Sequence, residues 1–363
     1  MNKGKLSSYV IGTMIAIVGI FVVYSIVSTI LNKLPNPEII TGDGNYEIRS
    51  IGLAVGETYT IDFEEIFAES GIEYSKHSIK DSDFYTVKGD TIQAVKEGVF
   101  YVDFRLENRR ANIVYEGQVI KVFCYDLANM IPINTVEDLC NMNKDKRGHY
   151  ILNADLDLSG IENFEPIGNS PAGDEFTGIF INPNNYVINN LTIKTSKEIY
   201  NGPYGGCRGG LFGSLDNAYI NNVILENVSI DVSDFEGELY GNAGGLVSTA
   251  IDSLITDCKV SGQVVGQLYV GGIIGSSHYT TLINNSFQGT IIQQNCDTKE
   301  TPAAGGLAGY LYGCVKGEDT VSLCVVTNNN IKAQIIAEHI ADELIGICFG
   351  DCIINNNSDS STE

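Results

Sequence analysis

Three hydrophobic patterns follow one another along the chain. From Tyr9 to Leu31 no residue is charged and most are apolar. At 1.5 Å rise per residue, a helix of this length crosses a hydrocarbon layer about 30 Å thick. Lys3 and Lys5 precede the run, and cationic flanks stay cytoplasmic. The pattern predicts a cytoplasmic segment over 1–8 and a transmembrane signal-anchor helix over 9–31. The bulk of a single-pass chain then lies outside the cell membrane. A cleaved signal peptide is the alternative, but it ends in an Ala-x-Ala-like site that is missing here. A pilin-type leader cut near Gly4-Lys5 is a minor alternative. Residues 32–44, with Pro35, Pro37 and Gly42-Asp43-Gly44, read as a linker.

The second pattern, over 45–126, has a period of two. Ile51, Leu53 and Val55 alternate, Gly56-Glu57 turns, and Tyr59-Thr60-Ile61 continues. Thr91–Ala94, Val99–Phe104 and Ile120–Cys124 follow. Alternation puts one face of each segment into a core. Many short strands without a convincing helix predict a small β-sandwich. The segments VGETYTI and GDTIQAVKEGVFYVDF resemble the bacterial Ig-like domains of surface proteins. That resemblance implies a spacer or binding module.

The third pattern is a repeat. Gly209-Gly210-Leu-Phe-Gly213, Gly244-Gly245-Leu-Val-Ser248, Gly271-Gly272-Ile-Ile-Gly275 and Gly305-Gly306-Leu-Ala-Gly309 start 35, 27 and 34 residues apart. Each leads to an apolar residue and usually a small polar pair: Ile220-Asn221-Asn222, Ile255-Thr256-Asp257, Ile283-Asn284-Asn285 and Val326-Thr327-Asn328. Ile188-Asn189-Asn190 and Ile354-Asn355-Asn356 share the form. The offsets are 11, 11, 12 and 21 residues, the last lengthened by an insertion near Cys314–Thr320. One such unit cannot bury its apolar residues alone and needs like neighbours above and below. A strand, a turn and a second strand make one turn of a parallel β-solenoid. Glycine allows close backbone approach. Asparagine suits a left-handed corner and can bond its stacked equivalents as a ladder.

These cassettes resemble the GLUG-repeat family of bacterial surface proteins, as does IPINTVEDLCNMNKDKRGHYILNADLDLSG with the EPIG and FTGIFINPNNYVINNLTI that follow. The resemblance implies a right-handed parallel β-helix over 131–356. Thr135–Leu139 reads as a capped helical turn over its open end. Lys332–Gly346 breaks the alternation and reads as a short helix, with Gly346–Gly350 as a degenerate last cassette. Residues 357–363 read as a disordered tail. The predicted fold is therefore all-β: a right-handed parallel β-helix preceded by an Ig-like sandwich and one transmembrane helix.

Composition narrows the partners. Net charge is −23, which repels polyanions and predicts no nucleic-acid partner. Nine cysteines show no Cys-x-x-Cys; Cys348 and Cys352, four apart, are a candidate short-loop disulfide. The four histidines are isolated, and no nucleophile-elbow, His-Glu-x-x-His or phosphate-loop motif occurs. Asp155 with Asp157, and Asp231, Asp234, Glu236 and Glu238, read as polar surface before they read as catalytic or Ca²⁺ sites. No catalytic, metal or cofactor site is predicted, and the chain reads as a non-enzyme. The 19 tyrosines suggest sugar or protein contact at Tyr200, Tyr204, Tyr240, Tyr269, Tyr279 and Tyr310. The functional expectation is a membrane-anchored surface protein with a structural or adhesive role. A polysaccharide lyase or hydrolase, or a filament subunit, is the alternative.

Overall fold

The computed structural model describes residues 38–41, 49–67, 72–169, 173–194, 208–234, 241–296, 301–313 and 324–359. Backbone contacts divide the chain into two units. One holds Met1–Gly44, Ile72–His77 and Arg105–Gly117; the other holds Asn45–Gly71, Ser78–Phe104 and Gln118–Glu363.

In the first unit, Glu38–Thr41 pairs in parallel with Ile113–Glu116, so this part of the expected linker is a strand. Arg105 donates to the Glu116 carboxylate at 2.6 Å. In the second unit, Arg49–Ala54 pairs in parallel with Ile120–Tyr125. Thr58–Thr60, Thr91–Ala94 and Tyr85–Lys88 form a small antiparallel sheet. Phe63–Phe67 is one helical turn whose Phe67 ring meets Phe104 edge-on at 5.0 Å.

From Ile131 the chain winds into stacked coils, and every strand pairing between coils is parallel. Four faces result. The first stacks Tyr219–Asn221, Leu254–Thr256, Thr281–Ile283, Cys324–Thr327 and Cys352–Asn355. The second stacks Ile224–Asp231, Lys259–Gly266, Ser286–Gln293 and Asn330–Ala337. The third stacks Arg208–Gly209, Asn242–Gly244, Tyr269–Gly271, Ala303–Gly305 and Ile340–Asp342. The fourth stacks Phe212–Asp216, Val247–Ile251, Ile274–His278, Ala308–Tyr312 and Ile345–Phe349. Inward residues such as Leu225, Val260, Phe287 and Ile331 lie over one another in one continuous core. Its first end is covered by the helix Val136–Asn141, which buries Leu139. Thr135 caps that helix, and its N–H is taken in return by the Asp138 carboxylate at 3.0 Å.

Several expectations are corrected. Lys332–Gly346 is not helical. Asn330–Ala337 pairs residue for residue with Ser286–Gln293, and the ladder with its apolar stack overrides local helix preference. The last cassette is Asp342–Gly346, since Ala308 faces Ile345 and Gly305 faces Asp342. Ser358–Asp359, within the expected tail, pairs with Asn330–Ile331, and residues 360–363 lie outside the described residues. Cys348 and Cys352 are free thiols. The expected single-pass membrane location is withdrawn: among the described residues no helix is long and apolar enough to cross a membrane. Residues 1–37, on which that expectation rested, lie outside the described residues, as do Cys314–Thr320.

Candidate functional site: an aromatic column across the coils

The fourth face carries a register that gathers rings from distant parts of the sequence. Ile251, His278, Tyr312 and Phe349 occupy one position in four successive coils. Thr249, Ser276, Tyr310 and Ile347 occupy the position two residues earlier, on the same side of the strands. The His278 and Tyr312 rings stack at 5.2 Å, and Tyr312 and Phe349 at 5.4 Å. Tyr269, from the third face, stacks on Tyr310 at 4.7 Å. Tyr279 meets Tyr312 edge-on at 5.6 Å. Six rings thus form one surface. Phe349, at 52% exposure, is its most open member.

Tyr279 occupies the corner that follows this face. The equivalent residues are Asn217 and Asp252, and all three are left-handed, with φ of 52°, 49° and 52°. Asparagine and aspartate tolerate that conformation, whereas a tyrosine there costs about 1–2 kcal/mol. Such strain clusters at binding and switch sites. His278 is held below its ordinary value of 6.5 by burial, so the column carries no cation at neutral pH.

Of the tyrosines singled out from the sequence, the structure brings together Tyr269, Tyr279 and Tyr310. Tyr200, Tyr204 and Tyr240 lie outside the described residues. His278, Tyr312 and Phe349 were missed. Their signal was a common offset of seven residues from Gly271, Gly305 and Asp342.

The predicted repeat residues take two roles. Asn190, Asn222 and Asn328 are left-handed corners, with φ of 60°, 55° and 56°. Asn190 bonds the Asp157 carboxylate at 2.8 Å. Asn285 is different: Asn284 holds the corner, with φ of 58°. Asn285 is fully buried one residue further on, where its carboxamide takes the Cys258 N–H and its own N–H reaches Asn329 Oδ1. The cassette glycines Gly210, Gly213, Gly244, Gly245, Gly271, Gly272, Gly275, Gly305, Gly306 and Gly309 are buried where backbones approach closely; a Cβ on any of them would lie within 3.0 Å of another atom. Gly209 is as tight but faces Ala243, one place off the cassette alignment. Asp155 and Asp157 act as corner acceptors, Asp155 taking the Val187 N–H at 2.8 Å. Asp231 takes the Ser233 hydroxyl at 2.7 Å, and Glu236 and Glu238 lie outside the described residues.

No family model matches the chain. It is 29% identical over 201 residues, 53% of its length, to halomucin of Haloquadratum walsbyi. It is 27% identical over 258 residues, 68% of its length, to an immunoglobulin A1 protease of Streptococcus pneumoniae. It is 25% identical over 122 residues, 34% of its length, to the zinc metalloprotease ZmpC of the same species. The chain spans 2%, 11% and 6% of those relatives. A solved structure described as an immunoglobulin A1 protease aligns over 76% of this chain and 22% of its own, at a TM-score of 0.40 and 14% identity. The protease names among the relatives overturn the expectation of a non-enzyme.

Proposed function

We propose that the chain is a recognition segment of a cell-surface protein of the immunoglobulin A1 protease-like kind. In this reading it is a right-handed β-helix of GLUG-type coils, preceded by a bacterial Ig-like domain. The hand follows from the strong preference of parallel crossovers. The observation that carries the reading is the aromatic column on the fourth face.

Rings stacked on one another cover each other's faces, so a partner meets ring edges and phenolic rims. Ring edges are the positive part of the aromatic quadrupole and favour oxygen acceptors. A net charge of −23 repels anionic partners. A neutral, hydroxyl-rich glycan fits both conditions best.

The test is binding of the chain to an array of immobilised neutral glycans, with immunoglobulin A1 and acidic glycans as further arms. Wild type should be retained on a neutral glycan, and Tyr310→Ala with Tyr312→Ala should weaken binding at least about tenfold, or 1.4 kcal/mol. Equal retention of the double variant would contradict the reading. Retention on immunoglobulin A1 alone would move the partner from glycan to protein.

A further inference from the structure

The coil stack uses one device at three successive steps of the third-to-fourth face corner. Two consecutive amides after the glycine pair donate to a single carbonyl of the following coil. Leu246 and Val247 reach the Ile273 carbonyl at 3.1 and 3.0 Å. Ile273 and Ile274 reach Leu307 at 3.0 and 3.1 Å, and Leu307 and Ala308 reach Leu344 at 2.8 and 3.2 Å.

At the Leu344–Ile345 corner the pattern changes. The equivalent amides are those of Leu344 and Ile345. Both donate, at 2.9 Å each, to one oxygen of the Asp342 carboxylate. Asp342 occupies the position held by Gly244, Gly271 and Gly305 in the coils before it.

The glycines show why this matters. A Cβ on Gly244 or Gly245 would lie within 3.0 Å of the backbone of the following coil, and so would one on Gly271, Gly272, Gly305 or Gly306. Each pair therefore leaves room for the next coil. Asp342 and Glu343 carry that Cβ, and both are exposed.

We propose that Asp342-Glu343 is a stop built into the stack. The Asp342 carboxylate stands in for the carbonyl of a next coil, and the two side chains occupy its place. The device satisfies edge amides that would otherwise recruit another strand. In this reading the two side chains oppose an in-register coil from a second copy at this corner.

Two measurements on the full chain test it. The first is amide exchange in Asp342→Ala and Asp342→Asn. Exchange at Leu344 and Ile345 should speed at least tenfold in Asp342→Ala and less in Asp342→Asn, which keeps an oxygen acceptor. Unchanged rates in Asp342→Ala would overturn the capping role. The second is sedimentation velocity of Asp342→Gly with Glu343→Gly, at several concentrations beside the wild type. The double variant should show added concentration-dependent association, and sedimentation identical to wild type would overturn the stop.

Discussion

Tyr279 is the residue at which stability and the proposed role separate most clearly. Its left-handed backbone suits the asparagine and aspartate of the preceding coils. Tyr279→Asn should raise stability by about 1 kcal/mol in denaturant unfolding, by removing that strain. The same change should weaken retention on the glycan array, because it deletes the edge-on partner of Tyr312. His278 gives a pH signature. Burial holds its folded value below 6.5, so the unfolded chain binds the proton first as pH falls. Its contribution is intact above the unfolded value and declines as pH drops from there towards the folded one. His278→Gln should flatten the dependence of melting temperature on pH below about 6.5. An unchanged slope would mean that His149, also lowered by burial, dominates.

At the scale of the element, the coil corner depends on a buried ladder of carboxamides. Asn329 accepts the Asn285 N–H at 2.8 Å and donates to the Leu282 carbonyl at 3.0 Å, while its own N–H reaches Asn357 at 2.9 Å. Asn329→Ala strands buried amides and carbonyls, and should cost about 2–4 kcal/mol in denaturant unfolding. Asn328→Gly, one residue earlier at an outer corner, should cost no more than a few tenths of a kcal/mol. The sequence hinted at the distinction. The offset of 12 residues in the third segment, against 11 in the first two, reflects a pair taken one place late. Structural register pairs Leu282, not Ile283, with Ile255. The strand over Asn330–Ala337 was less legible. Its Ala, Lys and Gln content suits a helix, and only the neighbouring strand decides its state.

Within the second unit, the strands Arg49–Ala54 and Ile120–Tyr125 pack on the first face of the coils. Phe123, Ile179, Ile181, Tyr219 and Leu254 share a second core, and Gly52 leaves room for the Tyr219 ring. Lys121, 2% exposed, reaches the Asp252 carboxylate at 3.0 Å and its carbonyl at 2.8 Å. Removing one member of a buried pair leaves the other uncompensated. Because Asp252 keeps some solvent, Lys121→Ala should cost about 2–3 kcal/mol, below the fully buried range. Nothing in local pattern marks Lys121 as different from other strand lysines; its burial exists only once the coil brings Asp252 to it. The coils themselves were legible because a repeat states its own register, whereas the docked sheet and the rings of the column follow from three-dimensional stacking.

The most direct test of the account is ring-to-ring nuclear Overhauser contact in the chain with labelled aromatic residues. Stacked coils in the described register predict contacts from His278 to Tyr312, from Tyr312 to Phe349 and from Tyr269 to Tyr310. Absence of these contacts, or their replacement by pairs one residue out of register, would contradict it.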